Sequence, residues 1–394
     1  MTPPLLQRAR ALSQDLVELR RDLHRHPELG YQETRTSDVA AREVGAAGFQ
    51  VRRGVARTGV VADLVSGDGP TVALRADMDA LPIQEETGLP WASTVPGLMH
   101  ACGHDAHTSI LVGAARILAN LHGEGALPPG RVRLLFQPSE EGMDEEGRSG
   151  ARRMVEEGAM DGVQAVAGLH VGAHLPSGRI HLAPGPFFAG SDEIQVVVRG
   201  RSAHAARAHE GVDALVLASQ GVVAAQQVVS RRLAPYERGV LTLATIQGGR
   251  APNIVADEIR LTGTLRYFEP SVKRRLREGL VASFAHAEAW GGWAQVHFRD
   301  GYPPVVNDPE LTGRLRGAMA EIVGEDGFLE APATMAAEDF GFLAREAPGV
   351  FFWLGAALPE PREHHHPEFD IDEEVLPLGA ALLARAATEM LVEP

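Results

Sequence analysis

Three apolar stretches in the first half of the sequence each run directly into side chains that bind metals or move protons. Residues 71–76 lead into Asp77 and Asp79, residues 131–136 into Glu140 and Glu141, and residues 163–169 into His170. Short apolar runs bounded by turn residues read as buried strands. In α/β sheets, ligands gather at the carboxyl ends of the strands. One strand end can carry solvated acids by chance. Three of the same character point to an α/β domain whose sheet delivers its chemistry at one end. Residues 60–65 and 71–76 are further expected to pair as a hairpin around Gly67-Asp68-Gly69-Pro70.

The densest cluster follows the first of these strands. Residues 99–109 read Met-His-Ala-Cys-Gly-His-Asp-Ala-His-Thr-Ser, so the only cysteine and three of the 16 histidines fall within eight positions. A cytosolic thiol among imidazoles is more often a metal ligand or nucleophile than half of a disulfide. Cys102 and His104 are two residues apart, a spacing that an extended backbone turns to one side and a helix does not. The plain alternative is a small buried cysteine beside a solvated loop. The cluster opens an apolar helical pattern, Ile110, Ala114, Ile117, Leu118 and Leu121, with Asp105 as the expected N-cap, and metal binding is the reading carried forward. The adjacent acids Glu140 and Glu141 are bracketed by Pro138 and Gly142, which implies a fixed turn. A cation would relieve their repulsion, one carboxylate coordinating while the other takes a proton from water.

At 394 residues the chain is too long for one compact core and implies two or three domains. A net charge of −15 would repel nucleic acid and anionic membranes alike, so neither is an expected partner. The single cysteine and the lack of a leader-like apolar segment at the start lead to an expected cytoplasmic location. No run approaches the ~18 apolar residues of a membrane span. Lys273 is the sole lysine, which excludes a P-loop and disfavours Schiff-base chemistry. There is no Gly-x-Ser-x-Gly elbow, and after His209-Glu210 the position of a zincin's second histidine is Asp213.

Leu12, Leu16, Leu19 and Leu23 recur at helical spacing, and the helix they define runs into His24-Arg25-His26-Pro27-Glu28-Leu29-Gly30. Composition shifts near Pro184-Gly185-Pro186. The segment that follows reads strand, helix, strand, strand, helix, strand, at 194–198, 213–230, 240–246, 259–267, 271–290 and 294–298. That order fits a small α+β open sandwich covered on one face. Ligand-type residues resume after it, so it reads as an insertion. Residues 1–184 and 301–394 are expected to form one mixed-sheet α/β/α domain, with 185–300 inserted. A helix at 309–323, a strand at 350–354 and a last helix at 373–391 complete the second part.

The motifs Leu74-Arg75-Ala76-Asp77-Met78-Asp79-Ala80-Leu81-Pro82, His100-Ala101-Cys102-Gly103-His104-Asp105 and Gln137-Pro138-Ser139-Glu140-Glu141-Gly142 together resemble a known family. It is the dinuclear metallopeptidase and aminoacylase family, peptidase family M20. The likeness extends from His24-Arg25-His26-Pro27-Glu28 to His365-His366-Pro367. Within the family the chain is most similar to the amidohydrolase subfamily, which includes hippurate hydrolase, N-acyl-amino-acid amidohydrolases and plant auxin-conjugate hydrolases. The resemblance implies a metallohydrolase domain with an inserted ferredoxin-like satellite or dimerisation domain, and a homodimer or higher homo-oligomer.

Carried over residue by residue, the resemblance makes Cys102, His104, Glu141, His170 and His365 the ligands of two divalent ions, with Cys102 as a bridging thiolate. His365, rather than His364 or His366, matches the family's last ligand, two residues before a proline. Glu140 matches the general base and acid, and Asp77 a carboxylate that orients a ligand. His204 matches a histidine that stabilises an oxyanion, and Asn253 and Arg266 match residues that grip the substrate. The wider family has His in place of Arg75 and Asp in place of Cys102, a departure that marks the subfamily. Thiolate with imidazole suits zinc, while mixed ligation also admits manganese, cobalt or nickel. The implied reaction is hydrolysis of N-acyl-L-amino acids by metal-activated water. Dipeptidase, carboxypeptidase and N-acetyldiaminopimelate deacetylase activities are alternatives within the family, and a cysteine hydrolase or an inactive binding protein outside it.

Overall fold

In the computed structural model, which describes residues 4–392, the chain divides into two units. The first takes the residues up to Phe187, Val305–Pro332 and those from Asp339 on; the second takes Phe188–Pro304 and Ala333–Glu338. The short returning segment joins the second unit through main-chain bonds, Ala189 N donating to Thr334 O at 3.2 Å and to Ala336 O at 2.9 Å.

The first unit opens with α1 (Pro4–Ala11), α2 (Ser13–Arg25), α3 (Thr34–Ala46), β1 (Gln50–Val55), β2 (Gly59–Val65), β3 (Thr71–Asp77), α4 (His104–Gly123), β4 (Arg131–Gln137), α5 (Gly150–Glu156), β5 (Val163–Pro176), β6 (Ile180–His181) and β7 (Gly185–Phe188). The second unit holds β8 (Gly190–Arg199), α6 (Ala214–Gln227), β9 (Gly239–Gly248), β10 (Glu258–Tyr267), α7 (Pro270–Phe284), α8 (His286–Ala289) and β11 (Trp293–Asp300). The chain returns through β12 (Val305–Asn307), α9 (Pro309–Val323), β13 (Phe328–Leu329), β14 (Gly349–Ala357) and α10 (Leu376–Val392).

The first unit is built on a mixed sheet in the order β1-β2-β4-β3-β5-β14-β6-β13. Its centre, β4, β3, β5 and β14, is parallel, and β2 runs antiparallel to β4. Ile110 and Ile117 of α4 and Leu383 and Ala387 of α10 are fully buried with Leu74 of β3 in one core. Each such leucine or isoleucine contributes roughly 1.5–3 kcal/mol. The segment Glu373–Val392, which contains α10, has the length and composition to cross a membrane, which apolar run lengths did not reveal. It serves as a core helix here: 72% of its most apolar window is buried.

Two local expectations fail for tertiary reasons. The hairpin between β2 and β3 does not form, because β4 inserts between them and Val65 and Thr71 both pair with Arg131. Buried at six of its seven positions, β3 is a central strand and takes a neighbour on each side. The turn at Gly67-Asp68-Gly69-Pro70 instead passes over the start of β4, with Arg131 N donating to Pro70 O at 2.8 Å. Secondly, β5 runs on to Pro176, so His170 lies inside a strand rather than at its end. It reaches the same level by register: Gly168 pairs with Arg75, two residues before β3 ends at Asp77.

The second unit is a four-stranded antiparallel sheet, β11-β8-β10-β9, whose β-α-β-β-α-β order is that of a ferredoxin-like open sandwich. Val196 and Val198 of β8, Leu261 of β10, Leu217 of α6 and Leu280 and Phe284 of α7 share its core. At Gly221 of α6 a Cβ would lie 2.3 Å from the Phe284 ring, so glycine permits this helix contact.

Candidate metal centre

The centre is assembled at the ends of β3 and β4, the start of α4, the middle of β5 and the loop after β14. α4 begins at His104, directly after Gly103, whose φ of +91° is left-handed. A Cβ at Gly103 would lie 2.5 Å from Val171 Cγ2, so conformation and space both require glycine there. This turn, rather than an extended backbone, sets the relation of Cys102 to His104. Asp105 is not the N-cap. It sits inside the first turn, and its carboxylate accepts from Arg20 Nε at 2.8 Å and bonds His24 Nδ1 at 2.7 Å. Burial works to raise its pKa, but Arg20 and His24 hold the carboxyl well below the usual carboxylate range.

The five residues expected as ligands converge. The donor atoms of Cys102, His104 and His170 all lie within 4.8 Å of one another, and so do those of Cys102, Glu141 and His365. Cys102 belongs to both groups, the arrangement a bridging ligand requires. Its Sγ is 3.4 Å from His170 Nε2, and His365 Nε2 is 3.1 Å from Glu141 Oε1. Glu140 forms a further group with His104 and Glu141. Among the three consecutive histidines, His364 Nε2 accepts from Ala173 N at 3.1 Å and His366 Nδ1 from Glu368 N at 3.2 Å. Only His365 of the three enters a candidate metal-binding group among the described residues.

The donors fit divalent cations. His104 Nε2 is buried without a hydrogen-bond partner among the described residues. Burial, with Glu141 and Glu140 beside it, pushes the Cys102 thiol well up. Burial disfavours charge on His104, yet Asp77, Asp79 and Glu141 outweigh it and push the imidazole up to about 10. His170 is pushed well down by burial and by its neighbours His107 and His364, while contact with Glu141 raises His365 against its burial. A protonated thiol and an imidazolium caught among carboxylates are both resolved when a cation displaces their protons.

A buried polar frame surrounds the donors. Asp79 bonds His104 Nδ1 at 3.2 Å and accepts from Glu140 N at 3.0 Å and Glu141 N at 2.9 Å. Asp77, expected to orient a ligand, bonds His107 Nδ1 at 2.6 Å and accepts from Arg75 Nη1 at 2.7 Å; its Oδ2 stands 3.7 Å from His104 Nε2. His107 Nε2 accepts from Val171 N at 2.9 Å, which fixes the strand beside His170. Arg75 also donates to Gln137 at 2.8 Å and to Asp339 at 3.0 Å. Sequence reasoning gave no role to Asp79, His107, Gln137 or Asp339. Asp79 and Gln137 lie inside recognised motifs and His107 inside the cluster at 99–109, which was the available signal; Asp339 offered none.

His204, Asn253 and Arg266 belong to the second unit. His204 is exposed, its Nδ1 accepting from Ala206 N at 3.1 Å, and Ala205 N donates to Asn253 O at 3.0 Å, so the two segments run side by side. Arg266 stands on β10 in register with Ser191 and Val240. Burial lowers its guanidinium while Tyr302 opposes, and no carboxylate pairs with it among the described residues.

The chain matches the model of Peptidase family M20/M25/M40 over residues 73–389. It is 39% identical to IAA-amino acid hydrolase ILR1-like 2 of Arabidopsis thaliana, with 96% of this chain and 85% of that protein covered. It is 38% identical to the N-acetyl-L-cysteine deacetylase of Bacillus subtilis, covering 96% and 89%. A solved structure, the Bacillus subtilis YXEP protein, described as a dinuclear metal binding peptidase from the M20 family, superposes with a TM-score of 0.85 at 32% identity, covering 98% of this chain and 99% of that one. With the motifs that carry the candidate donors inside the matched residues, the chain belongs to Peptidase family M20/M25/M40 and is a metal-dependent amidohydrolase.

Proposed function

We propose that the chain hydrolyses the amide bond of N-acyl-L-amino acids, as an aminoacylase or hippurate hydrolase does, with two divalent ions held by Cys102, His104, Glu141, His170 and His365. The observation that carries this reading is the pair of ligand groups sharing Cys102. One thiolate, three imidazoles and a carboxylate suit zinc and also admit manganese, cobalt or nickel. When bound, such ions acidify water and polarise the amide carbonyl.

Glu140 takes the proton of the attacking water and delivers it to the leaving amine. Its carboxylate lies within 4.8 Å of the donors of His104 and Glu141, and its backbone N–H is tied to Asp79. His204 donates to the developing oxyanion, an interaction worth roughly 3 kcal/mol. Asn253 and Arg266 hold the amino-acid half, the half-buried guanidinium taking its carboxylate in a bidentate grip. Relatives named for IAA-amino acid and N-acetyl-L-cysteine substrates support this substrate class. A nucleophilic cysteine needs a lowered thiol pKa, whereas burial and the neighbouring Glu141 and Glu140 raise that of Cys102. The reading includes a homodimer through the second unit, supported by exposed Leu215, Val216 and Val223 on α6 and Ile246 on the edge strand β9. It also places the enzyme in the reducing cytoplasm.

The test is Glu140→Gln, assayed on N-acetyl, N-benzoyl and indole-acetyl amino acids alongside metal analysis. The variant is expected to keep the parent's metal content and lose at least roughly 100-fold in turnover. Turnover within tenfold of the parent refutes Glu140 as the base.

A further inference from the structure

Glu33 lies at the N-cap position of α3, where a side-chain oxygen ordinarily accepts from the first N–H groups of the helix. Here the capping is done by Glu28, whose carboxylate accepts from Arg35 N at 2.9 Å and Thr36 N at 2.8 Å. The Glu33 side chain makes no cap bond. It is fully buried, and its two oxygens accept from Ser139 N at 2.7 Å and from Thr58 Oγ1 at 2.6 Å.

Ser139 is the residue before Glu140, and its φ of +45° is left-handed. A non-glycine residue keeps that conformation only where its surroundings over-determine it. Three consecutive N–H groups are fixed on two buried carboxylates: Ser139 on Glu33, then Glu140 and Glu141 on Asp79. Gly30 leaves the room the turn needs, since a Cβ there would meet Ser139 Oγ at 2.5 Å. Both peptide planes leading into the acidic pair are thereby set by groups remote in sequence.

We propose that Glu33 is a positioning residue for catalysis: through Ser139 N it locks the left-handed turn that sends Glu141 to the metals and leaves Glu140 to the water. The inference rests on the assignment of Glu140 as base and Glu141 as ligand. Glu33 bonds Ser139 and Thr58 and enters none of the candidate metal-binding groups among the described residues.

The experiment is a double-mutant cycle in the full-length protein between Glu33→Ala and Ser139→Gly, with Glu33→Gln as the variant that preserves shape. Zn(II) affinity is measured by chelator competition, and kcat and KM on N-acetyl-L-methionine or whichever N-acyl amino acid the parent hydrolyses best. Glu33→Ala is expected to lower kcat and weaken zinc binding by at least roughly tenfold each, with KM within about threefold. Glu33→Gln, which keeps one acceptor, should lose less. Adding Ser139→Gly, which removes the penalty of the left-handed turn, should recover a large part of both losses. Parent-like kcat and zinc affinity in Glu33→Ala overturn the proposal. So do losses that follow the melting temperature and are untouched by Ser139→Gly, since they mark a residue needed only for folding. Should Glu140→Gln remain active, the assignment of the base fails, and the zinc cycle alone decides the role of Glu33.

Discussion

Asparagine at position 79 removes one charge from the frame around the proposed metal ligands while keeping the side chain's shape. Asp79 Oδ1 serves His104 Nδ1 at 3.2 Å and Glu140 N at 3.0 Å, and Oδ2 serves Glu141 N at 2.9 Å. Whichever way an asparagine is turned, its amide nitrogen faces a donor. The less costly orientation points it at Glu141 N, which abolishes one charge-assisted bond and leaves two buried donors opposed. A lost bond to a charged group is worth about 1.5–3 kcal/mol, and each buried unsatisfied donor costs about 1–3 kcal/mol. Relaxation shares these terms, so metal-free Asp79→Asn should lose on the order of 3–5 kcal/mol of unfolding free energy. The bond to His104 also becomes neutral, so the tautomer that leaves Nε2 open is held less firmly. Loss of such a partner typically costs about 10–100-fold in metal affinity. Denaturant unfolding of the metal-free protein and zinc titration against a chelator read the two effects separately. Parent-like stability together with zinc affinity within threefold of the parent would refute the role given to Asp79.

Other perturbations bear on different parts of the centre. Gly103→Ala combines a φ of +91° with a 2.5 Å contact to Val171, and should destabilise by about 2–4 kcal/mol; an unchanged melting temperature contradicts the turn described. In the metal-free protein His104 is raised from 6.5 to about 10, so its charged form stabilises the fold fully below the lower value, and that contribution is lost as pH rises through the higher. Metal must displace this proton and that of the raised Cys102 thiol, so zinc affinity should rise between about pH 6 and 9 with protons released, whereas flat affinity contradicts the site.

Residue type and position drew attention to Cys102, His104, the Glu140-Glu141 pair and His170, and the family resemblance supplied the full proposed ligand set, His365 included; the structure brings those five side chains together. The frame was not. Asp79 lies beyond the end of β3, where the alternation that assigns sides within a strand no longer applies. Glu33 meets Ser139 across 106 residues, and no local rule sends a helix-start acid away from its helix. The same blindness produced the hairpin expectation, because the turn at Gly67–Pro70 carries no sign that a strand 60 residues later will slip between its arms. Asp105 fits a cap by local chemistry, and Arg20, 85 residues away, claims it instead. The six residues Ala333–Glu338 pass into the second unit through a few main-chain bonds that leave no mark on hydrophobic pattern.

Anomalous diffraction from crystals of the full-length protein grown with zinc tests the shared thiolate most directly. Two peaks are predicted, each about 2.3 Å from Cys102 Sγ, with His104, Glu141, His170 and His365 completing the first contacts. A single peak, or peaks that leave the sulfur unbonded, would contradict a bridging cysteine and the two-ion chemistry built on it.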